Sequence, residues 1–142
     1  MNKLAGYKGE RIKRMPTEDD EMMAFHQWLQ IKKIPHTHIP NEAGGSTRGM
    51  KARAIKMKKM GTSKGFPDLL VFIPIMGVDG EPDAYQPLAI EMKRIGRSTT
   101  SPEQKAWLEL LEMAGIPGGV CKGAEAAIKF VEDMIKDIEG EL

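Results

Sequence analysis

Apolar positions along this chain follow two periods, and the changes of period mark out the elements. Met22, Phe25 and Leu29 recur at helical spacing, and Pro16-Thr17-Glu18-Asp19-Asp20 just before them reads as a helix start. Thr17 can cap that helix, and the acids favour the positive end of its dipole. The segment from Lys51 to Met60 reads as a short amphipathic helix with Ala54, Ile55 and Met57 inward, stopped by Gly61. Between these two helices, Pro35 to Gly49 holds prolines and a Gly44-Gly45 pair and is expected to be a loop.

The period then shortens. Leu69-Leu70-Val71-Phe72 and Leu88-Ala89-Ile90-Glu91-Met92-Lys93 read as two strands, joined by an insert from Pro74 to Pro87 whose turns lie at Gly77, Asp79-Gly80 and Pro82. Ser101-Pro102-Glu103-Gln104 restarts a helix, with Ser as cap, Pro at the first position and Gln at the capping-box position. Trp107, Leu110 and Leu111 supply its core face and Gly115 ends it. Gly119 to Lys122 reads as a short strand, and Ile128, Val131, Ile135 and Ile138 stripe a last helix. Two strands alone would not hold such a domain, so the last strand is expected to join them, parallel to one of the pair through the Trp107 helix. The expected fold is α/β, a small mixed sheet flanked by helices.

In a strand, side chains at i and i+2 share a face, so Glu91 and Lys93 stand together while Ile90 and Met92 face the core. Pro67 holds the chain extended as Asp68 enters the preceding strand. Two carboxylates at one sheet end suit a hard cation, Mg²⁺ or Mn²⁺, and a lysine beside them is placed to orient or activate a water attacking a phosphate. Glu103-Gln104-Lys105 satisfies the same E-x-K spacing, but in a helix those two side chains diverge. On residue types alone, a strand pair with solvent-facing charges accounts for the pattern equally well. Glu18 falls at the head of the first helix's apolar stripe and is expected to face inward. Glu21, about sixty degrees off that stripe, is the alternative, with room to reach solvent.

Other motifs carry less. His36 and His38 lack further ligands at zinc spacing and are expected to be exposed loop residues. Gly61-Thr62-Ser63-Lys64-Gly65 lacks the Walker spacing, which excludes nucleotide binding there. Cys121, the sole cysteine, excludes an internal disulfide, fits a reducing cytoplasm and sits in an apolar context that predicts a buried, inert thiol.

Several stretches together, from Thr17 to Val131, resemble the VRR-NUC family of the PD-(D/E)xK nuclease superfamily. In order they are Thr17-Glu18, Trp28-Leu29, Ile39-Pro40-Asn41-Glu42-Ala43-Gly44-Gly45, Gly65-Phe66-Pro67-Asp68-Leu69, Ile90-Glu91-Met92-Lys93-Arg94, Ser101-Pro102-Glu103-Gln104 with Trp107-Leu108, and Gly115 leading to Val120-Cys121-Lys122-Gly123. The small stand-alone members resemble Holliday-junction resolvases. The resemblance implies a restriction-endonuclease-like core with Asp68, Glu91, the Met92 carbonyl and Glu18 around Mg²⁺ (or Mn²⁺), Lys93 managing the water and Gln104 assisting. It also implies products with a 5′-phosphate and a 3′-hydroxyl. The expected activity is metal-dependent endonucleolytic cleavage of branched DNA, four-way junctions first. A flap or nicking nuclease of phage replication or packaging, or a non-catalytic DNA-binding module, are the alternatives. Cutting both strands of a junction needs two such sites, so a homodimer is expected from the function.

Charge supports a polyanionic partner. The net charge is only +1, yet Arg48, Lys51, Arg53, Lys56, Lys58, Lys59 and Lys64 run without an intervening acid. Arg94 and Arg97 follow the E-x-K strand, in a stretch suited to phosphate contacts. The basic residues Lys3, Lys8, Arg11, Lys13 and Arg14 make positions 1–16 a basic tail, with one nuclease domain expected over 17–142. A chain of 142 residues buries one core. No apolar run approaches membrane-spanning length and the start lacks a signal core, so a bacterial or phage-infected host cytoplasm is the expected location.

Overall fold

The computed structural model describes residues 14–40 and 47–141. The basic positions before Arg14 and the Asn41 to Gly45 part of the Ile39–Gly45 stretch therefore lie outside the described residues. In chain order the elements are α1 (Glu18–Ile31), β1 (His36–His38), α2 (Arg48–Lys59), β2 (Leu69–Met76), β3 (Pro82–Lys93), α3 (Pro102–Met113), β4 (Gly118–Lys122) and α4 (Ala124–Gly140). The sheet order is β1-β2-β3-β4. β1 and β3 flank β2 antiparallel, and β4 lies parallel to β3 through the α3 crossover, as the sequence predicts.

Alternation along the central strands separates two faces. Leu69, Val71 and Ile73 pair across the ladder with Ile90, Leu88 and Gln86, so Leu69, Val71, Leu88, Ile90 and Met92 share the face that α1 and α4 cover. Phe25 and Leu29 of α1 and Ala127 and Val131 of α4 close this core with almost no exposed surface. Truncating Phe25 to alanine there would cost about 3–5 kcal/mol. The opposite face carries Ala89, Glu91 and Lys93. On it Leu108 of α3 lies over Gly118, where an added Cβ would come within 2.8 Å of the leucine side chain and 3.1 Å of the Ala89 carbonyl oxygen.

The structure differs from the sequence expectations at five places. The stretch after Pro35 is not wholly a loop: His36–His38 forms an edge strand, fastened by Phe72 N–H donating to the Pro35 carbonyl at 2.8 Å. The Pro74–Pro87 insert is mostly ladder, because β2 and β3 extend to a tight hairpin at residues 77–81. α2 begins at Arg48, three residues early, since Thr47 accepts from Met50 N–H and caps it. None of its residues is buried, and Ile55, expected inward, is 59% exposed. Leu110 of α3 is likewise exposed, leaving Leu111 as the buried residue of that helix. The fifth difference concerns the acids of α1 and belongs to the site.

Candidate active site

One end of the sheet collects the start of β2, the ends of β3 and β4, and the first turns of α1, α3 and α4. Asp68 stands immediately before β2. Continuing the ladder one step beyond the Leu69–Ile90 pair sets it opposite Glu91. Its Oδ2 accepts from Met92 N–H at 2.8 Å, which fixes the carboxylate over the end of β3.

The Gly65-Phe66-Pro67 run places Asp68 by packing on α3. Gly65 has φ +90°, and a Cβ there would lie 2.7 Å from the Glu103 carbonyl carbon and 2.8 Å from Gln104 N, so only glycine fits both the turn and the close approach. Phe66 meets Trp107 edge-on with ring centroids 5.1 Å apart, while the Trp107 indole N–H donates to the Lys64 carbonyl at 3.2 Å. The motif that carries the acid is thus tied to the helix that carries Gln104.

Gln104 joins the remaining groups. Ser101 caps α3 by accepting from Gln104 N–H at 3.1 Å, and Ser101 N–H donates to Gln104 Oε1 at 2.9 Å, completing the capping box expected from the sequence. The same Oε1 accepts from Lys93 Nζ at 3.2 Å. Nε2 donates to Glu91 Oε1 at 2.6 Å, and Lys93 Nζ lies 3.5 Å from that oxygen. Glu91 is 4% exposed, and its Oε2 is buried without a hydrogen-bond donor.

This arrangement raises the proton affinity of the acids. Burial, and then the Asp68 charge, push the Glu91 carboxyl up to about 7 against the opposing pull of Lys93. Burial likewise raises Asp68, although Met92 N–H, a side-chain hydrogen bond with Glu91, and then His38 and Lys93 favour its charged form. Glu18 is raised by burial first and by Asp68 second, and lowered by Lys93, so it lies within the field of both. Among the described residues no three His, Cys, Asp or Glu side chains cluster tightly enough to hold a metal ion by themselves. Asp68 and Glu91 are the close pair, with Glu18 farther out.

The α1 acids exchange the environments expected of them. Glu21, expected near solvent, is 8% exposed, and its Oε2 accepts from Ala124 N–H at 2.6 Å. It supplies the first turn of α4 with the acceptor that Gly123, a cap residue without a side chain, does not. The buried stripe of α1 is therefore Glu21, Phe25 and Leu29. Glu18 is exposed on the first turn, turned out of the core, yet electrostatically coupled to Asp68 and Lys93. The Glu21 role had no signal in sequence, because its partner lies 103 positions away and is a backbone group.

The basic positions divide into two groups. Arg48, Lys51, Arg53, Lys56, Lys58 and Lys59 all stand exposed on α2, with Lys64 exposed in the turn that follows. Arg94 and Arg97 are exposed on the loop directly after Lys93. His38 is exposed as expected. His36 is half-buried, with ring nitrogens 2.7 Å from His26 Nδ1 and 2.8 Å from the Ile34 carbonyl oxygen, so it fastens β1 to α1. Cys121 is buried, and burial pushes its thiol up to about 11, consistent with an inert role. No helix among the described residues is long and apolar enough to cross a membrane.

Residues 16–125 match the model of the VRR-NUC domain. A solved structure described as a VRR_NUC domain protein superposes with a TM-score of 0.64 at 28% identity, covering 85% of this chain and 89% of that one. No curated protein matches significantly. The family match contains the whole constellation from Glu18 to Gln104 and the strand that completes the sheet, and the chain belongs to the VRR-NUC domain family, with the nuclease-type DNA-processing function that this domain implies.

Proposed function

We propose that this protein is a divalent-cation-dependent endonuclease acting on branched DNA, four-way junctions first. The observation that carries the reading is Glu91 Oε2, a buried carboxylate oxygen without a donor, facing a second carboxylate whose proton affinity is also raised. Charging both members of a buried carboxylate pair is costly, and such a pair is the donor set a hard cation relieves.

The backbone fits the same reading. Ala89 N–H donates to Pro117 and the Lys93 carbonyl accepts from Gly123, so alternate residues of β3 direct their backbone groups to β4. Met92 lies between these positions in the alternation, and its N–H goes to Asp68. Its carbonyl therefore points to the same side, beyond the first residue of β2, where Asp68 stands. Asp68, Glu91 and the Met92 carbonyl would hold Mg²⁺ or Mn²⁺, with Glu18 acting through water. The cation would supply charge neutralisation at the scissile phosphate.

The chain's own groups do the rest. Lys93, held by Gln104 and beside Glu91, orients the attacking water. Gln104 keeps Lys93 and Glu91 at a fixed separation, so neither collapses onto the other. The exposed cations of α2 hold a duplex arm by its phosphates. Each chain carries one such centre, so cutting two strands of a symmetric junction requires a homodimer. The free, buried Cys121 suits a reducing cytoplasm.

The test is a cleavage panel of four-way junction, flap, nicked and linear DNA with Mg²⁺ or Mn²⁺, using wild type, Asp68→Asn, Glu91→Gln and Lys93→Ala. The expected result is preferential junction cleavage by the wild type and loss of cleavage in all three variants, with folding and DNA binding kept. Preference for the flap or nicked substrate would establish the other nuclease reading. Binding without cleavage by the wild type would leave a DNA-binding module.

A further inference from the structure

Two adjoining clefts form a trough beside the acidic centre, bordered by Glu18 and the loop that follows Lys93. Its first part is a cleft of about 540 Å³ between the segment leading into α1, with Arg14 and Glu18, and the loop after β3, with Arg94, Ile95 and Arg97. Its second part, about 460 Å³, shares Gly96 and Arg97 and runs to Ser98, Thr99 and Lys122. Glu18 marks the inner end, since it lies in the field of Asp68 and Lys93. Arg94 follows Lys93 directly in the chain, so the cleft begins within one residue of the lysine beside Glu91.

The lining has two kinds of surface. Among the described residues, the carboxylate ion pairs are Lys93–Glu91 and Lys129–Asp133, so the guanidiniums of Arg14, Arg94 and Arg97 have no carboxylate within ion-pair distance. Arg94 and Arg97 are exposed, with planar donor forks available to phosphate oxygens. Between these cations stand Met15, 59% exposed, and Ile95, 49% exposed. A duplex would offer this strip only its charged backbone, because its base faces are stacked away. An unpaired strand offers alternating phosphates and apolar base faces, which match guanidiniums interleaved with exposed apolar side chains.

We propose that this trough is the track of a single-stranded DNA segment entering or leaving the reactive centre, distinct from the duplex-holding surface of α2. The proposal rests on reading the site as one that acts on DNA, and it refines that reading: the unpaired strand at a branch is what the trough selects. Arg94 and Arg97 hold successive phosphates, Arg14 closes the trough from the α1 side, and Ile95 supports a base.

The experiment is fluorescence anisotropy in metal-free buffer at several salt concentrations. The probes are a short labelled oligothymidylate and a duplex of the same length. Arg94→Gln/Arg97→Gln should lower single-strand affinity roughly tenfold and flatten its salt slope by about 1.4, from two phosphates at about 0.7 each, with a smaller loss for duplex. Ile95→Asn should weaken single-strand binding without changing that slope. Lys56→Gln/Lys58→Gln/Lys59→Gln should do the reverse of the arginine pair, affecting duplex more than single strand. Wild-type single-strand affinity and slope in the arginine variant would overturn the proposal, as would equal losses for both probes. Because no metal is present, the two readings fail separately. A wild type that binds single strand as expected but cuts no branched substrate overturns the nuclease reading alone. A wild type that cuts junctions, while the arginine variant binds single strand normally, overturns the trough alone.

Discussion

Replacing Glu21 by alanine should destabilise the fold far more than replacing Glu18, although the two acids lie one helical turn apart. Glu21 Oε2 is the acceptor for Ala124 N–H at 2.6 Å, in a position 8% exposed. Removing it strands a buried donor, which costs about 1–3 kcal/mol. It also removes a negative charge from the start of the 17-residue α4, worth up to about 2 kcal/mol where partly buried. Some water will reach the gap, so the expected loss is about 2–4 kcal/mol, or a fall in melting temperature on the order of 6–12 °C for a domain of this size. Glutamine retains the acceptor and loses only the charge, so Glu21→Gln should cost about 1 kcal/mol. Glu18→Ala loses a favourable dipole term of about 0.3–1 kcal/mol and gains relief from Asp68, for a net change within about 0.5 kcal/mol. Urea or thermal unfolding followed by circular dichroism, with EDTA present, measures all three. Equal stability losses for Glu18→Ala and Glu21→Ala would refute the assignment, as would an unchanged midpoint for Glu21→Ala. Under the proposed function the order reverses for cleavage: Glu18→Gln should be the impaired enzyme and Glu21→Gln an active one.

Two further outcomes follow from the site. Folding raises the Asp68 and Glu91 carboxyls, so the folded protein binds protons more tightly than the unfolded chain. Stability from this pair is therefore full below the ordinary carboxylate range and lost as pH rises through about 7. The Glu91 shift corresponds to about 3 kcal/mol. Mg²⁺ should accordingly raise the melting temperature at about pH 8 and hardly at about pH 5; equal rises at both, or a rise that persists in Asp68→Asn/Glu91→Gln, would contradict the carboxylate pair as its site. Gly65→Ala should lose more stability than Gly61→Ala, since both glycines have positive φ but only Gly65 meets backbone within 3 Å. The expected difference is about 1–3 kcal/mol from the forced shift of α3, and indistinguishable midpoints would show that the wedge is not rigid.

The parts legible in sequence were those whose partners are near in the chain or fixed by period. The Ser101–Gln104 box is four residues of local chemistry, and the Glu91–Lys93 face follows from strand alternation. The parallel place of β4 followed from needing a crossover through α3. β1 is not legible in sequence, because the three residues His-Thr-His carry no apolar period and their strand character comes from pairing with Val71, Leu70 and Leu69. The amphipathic pattern of α2 presumes a core beneath Ile55, and α2 buries no residue. The environments of Glu18 and Glu21 are hidden for a related reason: a helical wheel ranks carboxylates by the apolar stripe, whereas the buried one is decided by a distant N–H that only the fold brings near.

The α3 cap also fixes which oxygen of Glu91 is taken up by neighbouring side chains. Ser101 N–H and the Lys93 ammonium both converge on Gln104 Oε1, so the amide has a single orientation in which its NH₂ faces Glu91. Glu91 Oε1 is thereby engaged twice, which leaves the buried Oε2 as the oxygen without a partner. A carboxylate offering one oxygen suits an ion content with few protein ligands and a tight octahedron, and disfavours one that gathers six to eight oxygens and favours two-oxygen grips. Discrimination between Mg²⁺ and Ca²⁺ would then be set at a helix start, by a glutamine that need not touch either ion. Gln104→Leu should free the second oxygen and shift relative affinity toward Ca²⁺ in a thermal-shift titration. Unaltered relative affinity would show that the ion is chosen elsewhere.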